Sequence, residues 1–289
     1  MREQSIVLRN QENFNLKHIF ECGQCFRWNV REDDTYLGVV GENVICAKQK
    51  GKDIFFTSWG KDNLESFIKE YFDFDTDYTK VKQILSKVDK PMKEALNYGE
   101  GIRILNQDLW ETLISFIISA NNNIPRIKGI IERLAKEYGK KMVWKEEVFY
   151  TFPTPEELAK ASVKDLRNLG LGFRDKRIYE TTLKVLNKQV DLEQLKQEEN
   201  TSKIREELLK LPGVGPKVAD CILLFSSLKR YEVFPIDVWV RRVINDLYIQ
   251  NPNEEKVNKK EIEKLAKQKY GNLAGLAQQY LFYWRRDVS

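Results

Sequence analysis

Residues 204–241 read IREELLKLPGVGPKVADCILLFSSLKRYEVFPIDVWVR, and two helical patterns lie in this stretch on either side of a very short turn. Ile204, Leu208 and Leu209 repeat at helical spacing before the turn. Apolar residues from Val218 to Phe225 then give a second helix a continuous apolar face. The stretch therefore predicts two helices joined by a hairpin, and the rest of the chain is organised around it.

The turn itself is rich in glycine: Gly213 and Gly215 flank Val214, and Pro216 follows. Glycine permits a positive φ and leaves backbone N–H groups uncovered by side chains. Proline is favoured as the first residue of a helix. Because exposed amides at a helix N-terminus bind phosphate, the hairpin is predicted to clamp a nucleic-acid backbone.

Two residues that can do chemistry lie just beyond this turn. Lys217 is in the first turn of the second helix, and Asp237 follows Pro235 at the N-cap position of the next apolar run. Each has a simpler interpretation, a phosphate contact for Lys217 and a helix cap for Asp237. Together, beside a phosphate-binding hairpin, they favour an amine nucleophile that acts on DNA.

The composition is compatible with an enzyme that acts on DNA but does not by itself indicate one. The chain has 289 residues, of which 42% are hydrophobic and 31% charged, and its net charge is +5. That length supports more than one domain, and the mild positive charge suits a nucleic-acid partner as well as ordinary solubility. The first residues, MREQSIVLRNQ, lack the apolar core of a signal peptide, and no stretch approaches a membrane span. We therefore expect an intracellular protein, in the cytoplasm or nucleoid if prokaryotic, with reduced thiols and no membrane partner.

Four cysteines are present, Cys22, Cys25, Cys46 and Cys221. The first two are spaced as Cys-x-x-Cys, a pattern also found in redox and zinc sites. A structural zinc needs four ligands, however, and His18 is the single histidine of the sequence. We therefore expect no catalytic metal and no cofactor.

The N-terminal region is predicted to be rich in β-structure. Residues 36–40, 43–47 and 53–57 are short β-prone runs separated by turn residues, which favours a meandering antiparallel sheet. Phe26 and Trp28 precede these runs at alternate positions and are interpreted as core residues of a strand. From residue 61 onward the apolar spacing is that of helices.

These patterns predict an α+β fold, with an N-terminal antiparallel β-sheet domain packed on a two-part all-helical body. We place the β-rich domain and its flanking helices at residues 1–105 and the helical body at 106–289, with the helix-hairpin-helix at 204–227. The C-terminal helices are expected to pack with the segment before residue 106. A second glycine turn at residues 169–172 lacks the lysine position, so it is interpreted as an exposed turn and not as a second active site.

The run LPGVGPKVADC, followed by PID, resembles the helix-hairpin-helix DNA glycosylase superfamily, and in particular its 8-oxoguanine DNA glycosylase family. The resemblance extends from Gly23 to Phe282. The chain lacks the C-terminal cysteine cluster of iron–sulfur relatives such as endonuclease III. The resemblance implies a bifunctional base-excision repair enzyme, a DNA glycosylase and abasic-site lyase. Its expected partner is double-stranded DNA containing oxidised guanine, and the protein is expected to be a monomer.

In this family a lysine amine attacks C1′ of the extruded nucleotide and expels the base, and the resulting Schiff base leads to β-elimination on the 3′ side. The resemblance assigns this role to Lys217, with Asp237 stabilising the positive charge that develops on the sugar.

The resemblance also implies a pocket for the extruded base. It contains a glycine carbonyl that accepts the N7–H found in 8-oxoguanine and absent from guanine, and a glutamine and a phenylalanine that bind and stack on the base. A cysteine thiolate paired with the lysine ammonium and a proline complete it. The corresponding residues are Gly23, Gln278, Phe282, Cys221 and Pro235.

For the base opposite the lesion, the resemblance implies that Asn121, Arg126 and Arg174 contact the orphaned cytosine. Phe173 occupies the position of the residue that wedges into the base stack, where the family usually has tyrosine. Because arginine donors match the acceptor edge of cytosine, we expect excision opposite cytosine to be preferred.

Contacts with the DNA backbone are expected from the amides of Gly213 and Gly215. The family typically has histidine where this chain has Trp239, so the phosphate contact of that histidine is not carried over. In the family the hairpin carbonyls can also hold a structural cation near the phosphate. The corresponding carbonyls here are those of Leu209, Leu211 and Val214.

Three functions are compared on this basis. The leading hypothesis is excision of 8-oxoguanine, preferably opposite cytosine. A related glycosylase for another damaged base would share Lys217 and Asp237 but have a different pocket, and Gly23 with Gln278 and Phe282 argues against it. A non-enzymatic helix-hairpin-helix DNA-binding protein would need neither the lysine nor the aspartate.

Overall fold

The computed structural model describes residues 1–288, and their N-terminal part forms a five-stranded antiparallel sheet. The strands are β1 (Arg2–Leu8), β2 (Trp28–Val30), β3 (Tyr36–Val40), β4 (Asn43–Lys50) and β5 (Asp53–Gly60), in the order β1-β5-β4-β3-β2. The three predicted β-prone runs correspond to β3, β4 and β5. Gly41 and Gly51 adopt positive φ in the turns between them.

Two further features of the β-structure have no counterpart among the predicted runs. β1 pairs with β5 and not with a neighbour in sequence, so it depends on a contact made across the domain. β6 (Lys141–Trp144) and β7 (Glu147–Tyr150) form a hairpin whose turn residues Lys145 and Glu146 both adopt positive φ. Such turns usually contain Asn-Gly or Asp-Gly, so a Lys-Glu turn gives no hairpin signal in the sequence.

The rest of the described chain is almost entirely helical. The α-helices before the hairpin stretch are α1 (Leu16–Glu21), α2 (Leu64–Tyr71), α3 (Tyr78–Leu85), α4 (Lys90–Tyr98), α5 (Leu109–Ser119), α6 (Ile124–Tyr138), α7 (Pro155–Leu158), α8 (Val163–Leu166), α9 (Asp175–Leu186) and α10 (Leu192–Gln197). Those from the hairpin stretch onward are α11 (Thr201–Leu209), α12 (Pro216–Phe225), α13 (Val238–Ile244), α14 (Lys259–Tyr270) and α15 (Ala274–Val288). None of the described helices is long and apolar enough to cross a membrane.

Two large hydrophobic cores underlie this architecture. One is formed by the sheet with α1 and α2, and it contains Trp28, Phe56 and Phe72. The other fills the helical body, where α5 and α12 are buried and Phe116 stacks on Phe225 with 5.5 Å between ring centroids. α15 packs against α4, so the C-terminal helix lies beside the segment that precedes residue 106. The predicted α+β class, an antiparallel sheet with a helical body, is confirmed.

Two local expectations were wrong. Phe26 does not lie on a strand, because β2 begins at Trp28 and Phe26 instead packs edge-on against Phe116 in the core of the helical body. The turn at residues 169–172 is not simply exposed, because Leu171 is fully buried in the same core. In both cases a contact with a distant part of the chain decides where the side chain packs, and the local pattern does not contain that contact.

Candidate active site

The hairpin loop, residues 210–215, connects α11 to α12. Gly213 adopts a φ of +90°, and a Cβ atom added there would lie 2.9 Å from Cγ2 of Ile117, so conformation and space both require glycine. Gly215 has an ordinary φ of −92°, and nothing lies within 4 Å of its Cβ position. Gly213 alone therefore uses the freedom of a positive φ, while Gly215 leaves the loop open to solvent.

The N-terminus of α12 carries no side-chain cap. The helix begins at Pro216, its N-cap is Gly215, and no side-chain oxygen accepts from its first N–H groups. Thr181 of α9 braces the loop by donating from Oγ1 to the Pro212 carbonyl at 2.8 Å. An uncapped helix N-terminus on a braced loop is suited to bind an anionic oxygen such as that of a phosphate.

The cation site expected at the carbonyls of Leu209, Leu211 and Val214 stays a prediction. The Leu211 carbonyl accepts the Val214 N–H at 3.0 Å and keeps a second lone pair, so the loop is compatible with a cation. Within residues 1–288, no group of three or more His, Cys, Asp or Glu side chains could hold a metal ion. Cys22 and Cys25 are buried free thiols.

A single cavity of about 50 Å³ brings the predicted catalytic and pocket residues together. Its lining comes from the N-terminal part of the chain, from α5, from α12, from the segment that leads into α13 and from α15. The predicted site residues in this lining are Gly23, Lys217, Cys221, Pro235, Asp237, Gln278 and Phe282. Pockets for small ligands usually measure about 300–1,000 Å³, so this cavity must open before a purine base can enter it.

A larger cavity, of about 500 Å³, lies elsewhere in the molecule. It is lined by the turn at Gly41, the N-terminal turn of α5 and parts of α9 and α10, and it contains none of the predicted site residues. Cavity volume alone would therefore select a cavity that contains none of the predicted catalytic residues. The smaller cavity is the better candidate because a nucleophile, a carboxylate and an aromatic ring all line it.

Lys217 is half-buried, and its Nζ lies 5.5 Å from the ring centroid of Phe116. Burial acts to lower the pKa of Lys217, but the neighbouring Cys221 and Asp237 outweigh it, so the pKa of Lys217 is raised above its usual value. Burial also raises the pKa of Cys221 to about 11. The thiolate–ammonium pair that the resemblance implied stays a prediction.

Asp237 is the N-cap of α13, as its sequence position predicts. Its Oδ1 accepts the Val240 N–H at 2.8 Å, and its side chain also lines the cavity that contains Lys217. Capping uses one carboxylate oxygen and leaves the other available for a second role. The structural interpretation of Asp237 and the catalytic one are thus compatible.

The part of the cavity suited to a base lies between Gly23 and α15. Gly23 adopts a φ of +86°, and its Cβ position lies 3.6 Å from Cε1 of Phe282, so the glycine backbone and the aromatic ring are close neighbours. Gln278 is 5% exposed, and its Oε1 has no hydrogen-bond partner among the described residues. A buried amide oxygen without a partner is unfavourable, and an N–H of an incoming base would satisfy it.

The residues expected to read the opposite base do not all face solvent. Asn121, Arg126 and Phe173 are exposed, and Asn121 adopts a φ of +50°. Arg174, in contrast, is 1% exposed and donates to the carbonyls of Ala120 at 2.9 Å and of Asn121 at 2.8 Å. The loop that contains Asn121 thus uses these donors in the free protein, and the reading of a cytosine by Arg174 stays a prediction.

Sequence reasoning also missed a supporting residue. Gln279 is 2% exposed, and its Nε2 donates to the Cys22 carbonyl at 2.6 Å, one residue before Gly23. In the sequence Gln279 is distinguished from Gln278 only by the four-residue spacing between Gln278 and Phe282. Glutamine is mostly exposed in proteins, so no signal marked this one as buried.

The chain matches two known families along most of its length. Residues 6–113 match the family described as 8-oxoguanine DNA glycosylase, N-terminal domain, and residues 114–270 match the family described as HhH-GPD superfamily base excision DNA repair protein. The N-glycosylase/DNA lyase of Saccharomyces cerevisiae is 31% identical, with 94% of this chain and 84% of that protein aligned. A probable N-glycosylase/DNA lyase of Methanothermobacter thermautotrophicus is 33% identical, with 77% of this chain and 73% of that protein aligned.

Solved structures agree with this fold. The 8-oxoguanine glycosylase/lyase of Clostridium acetobutylicum, in complex with double-stranded DNA containing cytosine opposite 8-oxoguanine, superimposes with a TM-score of 0.92 at 42% identity, covering 99% of this chain and 97% of that one. A 3-methyladenine DNA glycosylase from Archaeoglobus fulgidus has a TM-score of 0.78 at 21% identity over 99% of each chain, which is a likeness of fold alone.

Proposed function

Since this chain belongs to the HhH-GPD superfamily of base excision DNA repair proteins and has the N-terminal domain of 8-oxoguanine DNA glycosylases, we propose that it excises 8-oxoguanine from double-stranded DNA and then cleaves the abasic strand. The observation that carries this proposal is the cavity that Lys217 and Asp237 share with Gly23, Gln278 and Phe282. Cleavage of a glycosidic bond by an amine needs a nucleophile, a charge stabiliser and a base pocket at one place.

The proposed reaction begins with rotation of the target nucleotide out of the duplex. The neutral amine of Lys217 attacks C1′, the C1′–N9 bond breaks, and the base leaves with the bonding electrons and takes up a proton. The sugar ring then opens as the C1′–O4′ bond breaks and O4′ takes up a proton, which gives a protonated Schiff base between Nζ and C1′. Removal of a 2′ proton then breaks the C3′–O bond by β-elimination. Asp237 stabilises the positive charge on the sugar, as carboxylates do at oxocarbenium-like transition states.

A proton must leave Lys217 before this attack. The raised pKa makes the ammonium the main form of Lys217 at neutral pH in the free protein. The carboxylate of Asp237 lines the same cavity. We propose that solvent takes this proton, so that Asp237 stays ionised and stabilises the charge on the sugar. The reaction therefore needs the opposite protonation state from the one that the free protein favours.

Selection of the damaged base is proposed to rest on the Gly23 carbonyl. 8-Oxoguanine has an N7–H that can donate to this carbonyl, whereas guanine has a lone pair at N7. Guanine would therefore place an acceptor against an acceptor, which costs a few kcal/mol when both are buried. Phe282 and Gln278 would stack on the base and bind its Watson–Crick edge.

The decisive experiment uses Lys217→Gln and duplexes with different lesions, each incubated with and without borohydride. We expect this variant to lose base release and covalent trapping but to keep lesion binding, because backbone amides at the start of α12 supply the phosphate clamp. Lys210→Gln, which removes the same charge from the other end of the hairpin loop, is the matched control and should still be trapped. Undiminished trapping of Lys217→Gln would place the nucleophile elsewhere. Trapping of the parent on other lesions and not on 8-oxoguanine would favour a glycosylase for a different base.

We further propose a preference for cytosine opposite the lesion, carried by Arg126 and Asn121. Arg126 is exposed, and its donors match the O2 and N3 acceptors of cytosine, whereas adenine offers an amino donor on the same edge. A wrong base should cost about 1–3 kcal/mol. Phe173 lacks the hydroxyl of the usual tyrosine, which weakens this preference without abolishing it.

The preference is tested by single-turnover excision opposite each of the four bases, for the parent and for Arg126→Ala. Equal excision opposite cytosine and adenine by the parent would contradict the preference. If the parent discriminates and Arg126→Ala discriminates equally well, Arg126 does not read the opposite base.

A further inference from the structure

The carbonyl groups around Gly23 are held from both sides. Gln279 donates from Nε2 to the Cys22 carbonyl at 2.6 Å, and Gln107 donates from Nε2 to the Gln24 carbonyl at 2.7 Å. Among the described residues, no hydrogen bond reaches the carbonyl of Gly23 between them. Of the carbonyls of residues 22–24, the free one is thus that of Gly23, which lines the base cavity together with Cys22.

The side of this loop that follows Gly23 is anchored by the Gln24 side chain, which is completely buried. Its Oε1 accepts the Leu105 N–H at 2.9 Å, and its Nε2 donates to the carbonyls of Ile19 at 2.9 Å and of Arg103 at 2.8 Å. All of these partners belong to the N-terminal part of the chain. Gln24 therefore fixes the backbone that follows Gly23 to the β-rich N-terminal part of the chain.

The other end is fixed by Gln279, which comes from α15, the helix that also contains Gln278 and Phe282. The hydrogen bond to Cys22 holds the peptide plane that precedes Gly23. Glycine at a φ of +86° has several other accessible conformations, so loss of this bond would let the Gly23 carbonyl turn. The same bond joins the loop to α15 near the point where Phe282 Cε1 lies 3.6 Å from the Cβ position of Gly23. It therefore sets both the direction of the carbonyl and its distance from the stacking ring.

We propose that Gln279 is a positioning residue that determines how well the site distinguishes 8-oxoguanine from guanine. The inference rests on the proposed function, because it assumes that the Gly23 carbonyl accepts the N7–H. Gln279 acts through the Cys22 carbonyl. Two adjacent residues thus have different roles. Gln278 contacts the base, and Gln279 orients the Gly23 carbonyl that accepts from it.

Gln279→Leu replaces the amide by an apolar side chain of similar size and removes the donor. The measurement is the ratio of dissociation constants for an undamaged duplex and for a duplex with 8-oxoguanine, together with single-turnover base release. We expect the ratio to fall about tenfold, the value of one buried hydrogen bond. Tyr280→Phe is the matched control, since it removes another buried hydrogen bond of α15, from Oη to the Ile102 carbonyl at 3.2 Å, and should leave the ratio unchanged.

Gln279→Glu adds a second measurement, the pH dependence of this ratio of dissociation constants. A purely structural role for Gln279 would not make the ratio depend on pH. A protonated glutamic acid can donate to the Cys22 carbonyl, whereas the ionised form faces it with an acceptor. The ratio of dissociation constants should therefore recover in this variant as the pH falls, while the ratio of Gln279→Leu stays low at every pH. If Gln279→Leu does not fold, this pH profile decides alone, and a flat profile overturns the inference.

The outcomes separate this inference from the proposed function. A parent protein that releases no 8-oxoguanine contradicts the proposed function itself. A parent that releases it, with a Gln279→Leu variant that discriminates as well as the parent, contradicts only the role of Gln279.

Discussion

Asp237 has two roles in the structure that a pair of substitutions can separate. Its Oδ1 accepts the Val240 N–H at 2.8 Å, which caps α13, and its side chain lines the cavity shared with Lys217. Asparagine keeps a capping oxygen and loses the charge, whereas alanine loses both. Asp237→Asn should therefore keep the stability of the parent and release the base slowly, and Asp237→Ala should lose stability as well.

The two effects have different magnitudes. Replacing an N-cap by alanine costs about 1 kcal/mol of unfolding free energy, which lowers the melting temperature of a chain of this size by about 2–4 °C. The interaction of a carboxylate with a positive charge on the sugar, ~5 Å away in an effective dielectric of about 20, is worth about 3 kcal/mol. Losing it should slow base release by roughly a hundredfold.

The assay combines thermal unfolding with single-turnover release of 8-oxoguanine. Asp108→Ala is the matched control, because it removes an equivalent cap from α5, where Oδ1 accepts the Glu111 N–H at 2.8 Å. Asp108 lines the larger cavity and not the one that contains Lys217. It should melt earlier and release the base at the parent rate. A parent rate in Asp237→Asn would refute the reasoning and reduce Asp237 to a helix cap.

The remaining predictions concern protonation and the loop that contains Asn121. Because the pKa of Lys217 is raised, the reactive amine is the minor form at neutral pH, and its fraction rises tenfold per pH unit. Single-turnover base release should therefore increase from pH 6 to pH 8 with a slope of about one in the logarithm of the rate, and a flat profile would contradict rate-limiting amine attack. Arg174→Met removes the donors to three backbone carbonyls and should lower the unfolding free energy, measured in urea, by about 2–4 kcal/mol. Arg174→Lys should not restore it, since lysine lacks the planar fork; an unchanged unfolding free energy with lost opposite-base selectivity would make Arg174 a base reader.

Features that depend on local backbone requirements are those that the sequence predicts well. Gly213 is needed because the loop requires a φ of +90°, and Asp237 precedes an apolar run because α13 needs a cap. The β6–β7 hairpin and the position of Phe26 outside a strand, in the core of the helical body, are not predicted. The hairpin has no turn signature, and Phe26 is buried by Phe116 from a helix that lies far along the chain. Burial of this kind depends on which distant segments meet, and a periodic pattern does not contain that information.

The supporting residues of the site are hidden from sequence for a more specific reason. Arginine and glutamine are usually exposed, and when buried they need hydrogen-bond partners. The partners of Arg174 and Gln279 are backbone carbonyls, which every residue has, so no side-chain pattern identifies them.

The existing hydrogen bonds of an arginine also affect how well it can select the base opposite the lesion. For Arg174 to read a cytosine, it would have to exchange bonds to carbonyls for bonds to the base, with little net gain. Arg126 is exposed and has no such bonds to exchange, so discrimination of the opposite base should depend on Arg126 far more than on Arg174.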